Sequence, residues 1–166
     1  MERFLRNCWY MAAWSHELGD SGLSREILGK RLFLYRLGNG SPAALLDRCP
    51  HRFAPLSMGC RDADLVICPY HGLRFDAEGR CVHNPFSDKV PAGANIPAWK
   101  TVEQDGIIWL WGGDREMANP ALIPDFSFVV DSPEMRSVRG YTLMRANYEY
   151  GTDNLMDLSH IEFVHK

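Results

Sequence analysis

The sequence predicts a mainly β fold, a small antiparallel β-sandwich built of hairpins, with a unit of different character begun after it. Three observations carry this. Pro and Gly punctuate residues 1–120 heavily, short β-rich runs lie between them in place of long helical stripes, and tight-turn signals join such runs three times over. The 166 residues are 46% hydrophobic and 23% charged, enough apolar side chain for a packed core, which excludes a disordered tail or a coiled coil.

The elements follow in order. Arg31 to Arg36 reads as a strand, Gly38-Asn39-Gly40 as a hairpin turn and Ala43 to Asp47 as the returning strand. Leu73 to Phe75, Asp76-Ala77-Glu78-Gly79 and Arg80 to His83 repeat that pattern. Val102 to Gln104, Asp105-Gly106 and Ile107 to Trp111 make a third hairpin, and the Asp-Gly pair is the strongest turn signal in the chain. Trp109 and Trp111 are expected to face a core. A boundary is expected near Gly112 to Asn119, dividing residues 1–118 from 119–166. Beyond it, Pro120 to Pro133 reads as an irregular connection and Val138 to Ala146 as a strand. Asn147 to about Ser159 reads as a helix carrying Leu155, Met156 and Leu158.

Eighteen Lys plus Arg against 21 Asp plus Glu give a net charge of -3, which offers no electrostatic case for nucleic acid or an anionic membrane. No apolar run approaches the roughly 18 residues a membrane span needs. The aromatic stretch Cys8 to Trp14 lacks the small-residue cleavage site of an export signal, so a soluble, cytoplasmic protein is expected. Five cysteines, Cys8, Cys49, Cys60, Cys68 and Cys81, are an odd count that argues against a fully paired disulfide framework and leaves thiols free to act as ligands.

Two of those thiols sit in Cys49-Pro50-His51 and Cys68-Pro69-Tyr70-His71. A finger-type zinc site pairs Cys with Cys and His with His across two elements, whereas each loop here offers one of each. One of each suits a two-iron cluster with both thiolates on one iron and both imidazoles on the other. Neutral imidazoles reduce the negative charge around such a cluster and raise its potential above that of an all-cysteine site. Strand-like runs, Ala44 to Asp47 and Leu65 to Ile67, precede the two loops and would hold the ligands on adjacent tips. Backbone N–H groups near Arg52, Phe53 and Gly72 are expected to donate to the sulfurs, and the Arg52 side chain suits a surface salt bridge as well as a role beside the site. Cys8, Cys60 and Cys81 lack a partner at metal spacing and read as ordinary thiols, His16 and His83 as structural histidines.

A second constellation holds Asn154, Asp157, His160 and His165. The first three stand at i, i+3 and i+6, near one face of a helix, with His165 five residues further on. Two histidines and one carboxylate with open positions make the facial arrangement of non-haem Fe(II) oxygenases; a polar helix face with exposed histidines is the plain alternative. A carboxylate three residues before a ligand histidine can also accept that ring's outer N–H and fix its orientation.

The C-x-H and C-x-x-H loops resemble the Rieske family at Cys49, His51, Cys68 and His71. With Arg52 to Leu56 and Pro69-Tyr70 in place of extra cysteines, they are similar to its oxygenase or ferredoxin type. The run from Asn154 to His165 resembles the N-x-x-D-x-x-H-x-x-x-x-H signature of Rieske non-haem iron oxygenases. Asn7-Cys8-Trp9-Tyr10, Cys49 to Ser57, Tyr70 to Leu73 and Asp153 to Leu158 extend the likeness to the dicamba and vanillate O-demethylase group over essentially the whole chain.

That resemblance implies a [2Fe-2S] Rieske cluster on Cys49, His51, Cys68 and His71, in a Rieske domain of residues 1–118. It implies a mononuclear Fe(II) on His160, His165 and a carboxylate absent from this chain. Residues 119–166 would then begin an α+β, helix-grip-type catalytic domain that is truncated here. It further implies a homotrimer in which Asp157 bridges the cluster of one subunit and the mononuclear iron of its neighbour. Asn154 would stand beside it as a weak ligand, a hydrogen-bond partner or a helix-surface residue. Electrons would come from NAD(P)H through a reductase or ferredoxin, and O2 would hydroxylate an aromatic acid, with a methoxy carbon lost as formaldehyde. A stand-alone Rieske ferredoxin-like electron carrier is the alternative, for which residues 1 to about 115 would suffice, and a zinc-stabilised binding module is a third reading.

Overall fold

Short strands, several of them buried along most of their length, pair through tight turns with left-handed residues into three antiparallel sheets around the two Cys-His loops. The computed structural model describes residues 4–130 and 133–165. In chain order the strands are β1 (Trp9–Trp14), β2 (Leu23–Ile27), β3 (Lys30–Arg36), β4 (Pro42–Leu46), β5 (Cys60–Asp62), β6 (Leu65–Ile67), β7 (Arg74–Phe75), β8 (Cys81–His83), β9 (Ala98–Trp99), β10 (Thr101–Gln104) and β11 (Ile107–Trp111). Two helices follow, α1 (Tyr148–Met156) and α2 (Ile161–Val164). The sheets run β1-β11-β10, β2-β3-β4-β9 and β5-β6-β7-β8.

All three expected hairpins form, as β3–β4, β7–β8 and β10–β11. At the last turn Asp105 and Gly106 have φ of 56° and 72°, the paired left-handed conformation that matches the twist of the flanking strands. Trp109 and Trp111 are buried as expected, and Trp111 packs edge-on against Trp9 at 5.2 Å. That contact belongs to a pairing no local pattern announces: β1 lies antiparallel to β11, with a bulge between Met11 and Ala13. The core beneath the loops joins Phe33, Tyr35, Leu45, Leu56, Val66 and Phe75 to Cys49 and Cys68.

The chain beyond the sandwich departs from expectation twice. Val138 to Ala146 forms no strand, because a strand needs a backbone ladder and this segment meets side chains instead. The Trp14 indole donates to the Gly140 carbonyl at 3.0 Å, and the Arg25 guanidinium lies 4.2 Å from the centre of the Tyr141 ring. The helix also stops early. Asn147 caps it by accepting the Glu149 N–H, but Asp157 leaves helical conformation (φ -92°, ψ 93°) and starts a separate 3-10 turn, Leu158–His160. Asn154, Asp157 and His160 therefore do not share one helical face.

Candidate metal centres

Two loops of identical construction carry the four candidate donors of the first site. In the first, the Cys49 N–H donates to the Ala54 carbonyl at 2.9 Å and the Phe53 N–H returns to the Cys49 carbonyl at 2.9 Å. In the second, Cys68 N–H donates to Leu73 O at 2.9 Å and Gly72 N–H to Cys68 O at 3.1 Å, the same bonds at the same offsets. The fourth residue after each cysteine is left-handed, Phe53 at φ 61° and Gly72 at φ 72°. One turn has been used twice, following β4 and β6.

This construction points the thiols inward and the imidazoles outward. Cys49 and Cys68 are 1% and 3% exposed, and the Cys68 side chain lies within hydrogen-bonding reach of the Cys49 sulfur. The His51 and His71 rings stand 4.6 Å apart at the surface, with Tyr70 stacked on His71 at 4.2 Å and Phe86 edge-on to it at 6.3 Å. A shallow apolar cleft of about 290 Å³, lined in part by Pro50, Leu73 and Phe86, opens beside both rings. Burial pushes the Cys49 thiol up to about 11; the N–H groups of His51 and Arg52 at its sulfur pull against that, and Cys68 adds to it. Cys49 would hold a metal as its thiolate, which the two N–H groups would stabilise. The N–H groups of Phe53 and Gly72, expected at the sulfurs, are spent on closing the loops.

The donors fit a two-metal cluster. Thiols meet thiols inside and rings meet rings outside, while among the described residues no three His, Cys, Asp or Glu side chains converge as the ligands of one ion. Sequence reasoning missed Asp47, whose buried carboxylate takes the Ser57 N–H and hydroxyl, both at 2.7 Å, and so anchors the turn that follows the first loop. Nothing in the spacing separates a buried Asp from a solvated loop Asp.

At the second centre the His160 and His165 rings stand 5.2 Å apart. His160 Nδ1 meets the backbone carbonyl of Asp157 at 2.5 Å, so the expected partner residue is right but its carbonyl, not its carboxylate, makes the contact. The Asp157 carboxylate turns instead to Ser159, whose hydroxyl and N–H hold its pKa below the usual carboxylate range. Both bonds end on Oδ1, which leaves Oδ2 unengaged among the described residues. Asn154 stands exposed on α1. Cys60 is exposed, Cys81 is buried, and all five cysteines are free thiols.

Residues 144–166 match the vanillate O-demethylase oxygenase C-terminal domain. The chain is 50% identical to the oxygenase component of dicamba O-demethylase from Stenotrophomonas maltophilia, over 98% of this chain and 48% of that protein. It is 41% identical to a vanillate O-demethylase oxygenase subunit from a Pseudomonas species, over 98% of this chain and 45% of that one. A crystal structure of dicamba monooxygenase bound to dicamba superposes with a TM-score of 0.89, and another contains non-haem iron. The chain thus spans about half the length of these relatives. Residues 8–99 match the Rieske [2Fe-2S] domain, and with its paired Cys and His loops, one after β4 and one after β6, the chain belongs to that family.

Proposed function

We propose that the chain is the electron-handling half of an oxygenase component, with a Rieske domain in residues 1–118 and the opening segment of the catalytic domain in residues 119–166. Cys49 and Cys68 hold one iron of the cluster and His51 and His71 the other. His160 and His165 hold a mononuclear Fe(II), with a carboxylate supplied from elsewhere in the whole protein. When bound, the cluster moves electrons singly and the Fe(II) is where O2 is activated.

The chain's own residues divide the remaining work. Burial of Cys49 and Cys68 keeps water from the sulfurs, while the exposed His51 and His71 edges give an electron its exit. Tyr70 and Phe86 hold the His71 ring between them. The Asp157 carbonyl accepts a hydrogen bond from Nδ1–H of His160, which would leave Nε2 with its lone pair for a metal. Asp157 Oδ2, unengaged among the described residues, would accept the outer N–H of His71 from a neighbouring subunit of a homotrimer. The likeness to the dicamba and vanillate O-demethylase oxygenase components supports O-demethylation; the substrate would be an aromatic acid, and a reductase or ferredoxin would supply the electrons. The assembly would work in the cytoplasm; no helix among the described residues is long and apolar enough to cross a membrane.

The observation that carries this reading over a ferredoxin-like carrier is the His160–His165 ring pair at 5.2 Å, which a carrier has no use for. Iron and acid-labile sulfide on anaerobically purified chain should come to about two of each, with a Rieske EPR signal after reduction. Zinc without sulfide overturns the cluster. In the complete protein, His160→Ala should lose the third iron alone and end formaldehyde release from an aromatic methyl ether; unchanged iron content removes the second centre.

A further inference from the structure

Asp47 is the only buried polar or charged residue among the described residues, at 4% exposure. Its Oδ1 accepts the Ser57 N–H at 2.7 Å, and its Oδ2 accepts the hydroxyls of Ser57 at 2.7 Å and Ser24 at 2.8 Å. No ion pair among the described residues reaches it. Three neutral donors satisfy the oxygens but leave the full negative charge uncompensated. Inside a protein that charge is screened far less than at the surface.

Its place makes the charge consequential. Asp47 precedes Cys49 by two residues, which limits the separation of their Cα atoms to about 7 Å. Leu56, beside the Ser57 it grips, packs in one core with Cys49 and Cys68. A negative charge next to a redox centre disfavours the arrival of an electron. Resting on the reading of Cys49, His51, Cys68 and His71 as cluster ligands, we propose that Asp47 is a positioning residue that lowers the reduction potential at the sulfur pair through its buried charge. It opposes the imidazoles, which raise the potential, and makes the reduced centre a stronger donor to whatever accepts its electron.

Asp47→Asn isolates the charge. The amide oxygen keeps the Ser57 N–H, and its NH2 donates to the two hydroxyls, which rotate to accept. In a spectroelectrochemical titration of the cluster-loaded chain against mediator dyes, this variant should shift the equilibrium about tenfold toward the reduced form, which is 59 mV for one electron. Ser57→Ala, which keeps the charge and removes a donor, should shift it the other way. Asp20→Asn, which neutralises an exposed carboxylate, should leave it in place. An Asp47→Asn cluster with the wild-type EPR spectrum and an unchanged midpoint overturns the proposal, as do shifts of the same sign in both variants at the Asp47–Ser57 contact. Should Asp47→Asn not accumulate folded, Ser57→Ala decides alone: a downward shift supports the proposal, and an unchanged or upward one overturns it. A wild-type chain without any cluster signal overturns the metal-centre reading instead.

Discussion

The fourth residue after each loop cysteine must take positive φ, and the two loops meet that demand differently. Phe53 does so at about 1 kcal/mol, the ordinary penalty of a left-handed side chain, offset in part by the Arg48 guanidinium 3.9 Å from its ring centre. Gly72 does so freely. Gly72→Ala should therefore destabilise by about 1 kcal/mol, since the new Cβ would stand 3.3 Å from Pro85 Cγ, a contact that can relax. Gly79→Ala should cost about 3 kcal/mol or more: at φ 77° the added Cβ would stand 2.1 Å from the Ile96 carbonyl oxygen, which is backbone and cannot swing away. Urea melts of both variants check this, and equal losses would contradict it. The four candidate cluster ligands were legible because their types and spacings are chemical requirements. Asp47 was not, because burial depends on what folds over it, and the roles of Phe53 and Gly72 were misassigned because loop closure claims their N–H groups first.

Hairpins are the elements most legible in the sequence, since a turn such as Asp105-Gly106 states its geometry within a few residues. The β1–β11 pairing was invisible because its partners stand at opposite ends of the sandwich sequence. The Val138–Ala146 strand was over-read because periodicity cannot report whether a ladder partner exists. Contacts between sheets are just as hidden, and one makes a pH prediction. Arg36 on β3 binds Glu103 on β10 with an Nη1–Oε2 distance of 2.5 Å and also donates to the carbonyls of Ser15, Leu18 and Gly40. The hydrogen bond from Arg36 holds Glu103 below its ordinary 4.5, so the pair stabilises the fold fully above that value and is lost as pH falls through the depressed one. Both groups are partly solvated, which limits the effect to about 0.5–1 kcal/mol. Glu103→Gln should lower the denaturation midpoint at pH 7 and leave it nearly unchanged at pH 3. Equal losses at both would assign the effect to packing.

Across the whole molecule, residues 141–165 expose Tyr141, Leu143, Leu155, Ile161 and Phe163, side chains that water alone does not favour leaving uncovered. On the isolated chain, limited proteolysis should therefore cut between residues 133 and 147 well before it cuts the sandwich; first cuts within residues 9–111 would reject the proposed division of the chain. The proposed bridge between subunits belongs to this scale too. In Asp157→Asn the amide oxygen can keep both Ser159 bonds, and the backbone carbonyl that orients His160 is untouched, so iron at both centres should stay near wild type in the complete protein. The NH2 that replaces Oδ2 cannot accept an N–H from a neighbour's His71. Transfer between subunits should then slow by about 10–100-fold or more. The measurement is single-turnover reoxidation of the prereduced cluster with substrate and O2, followed by its visible absorbance. Wild-type reoxidation at full iron content would remove Asp157 from the electron path, whereas slowed reoxidation with iron lost from His160 and His165 would make it a structural support of the second centre.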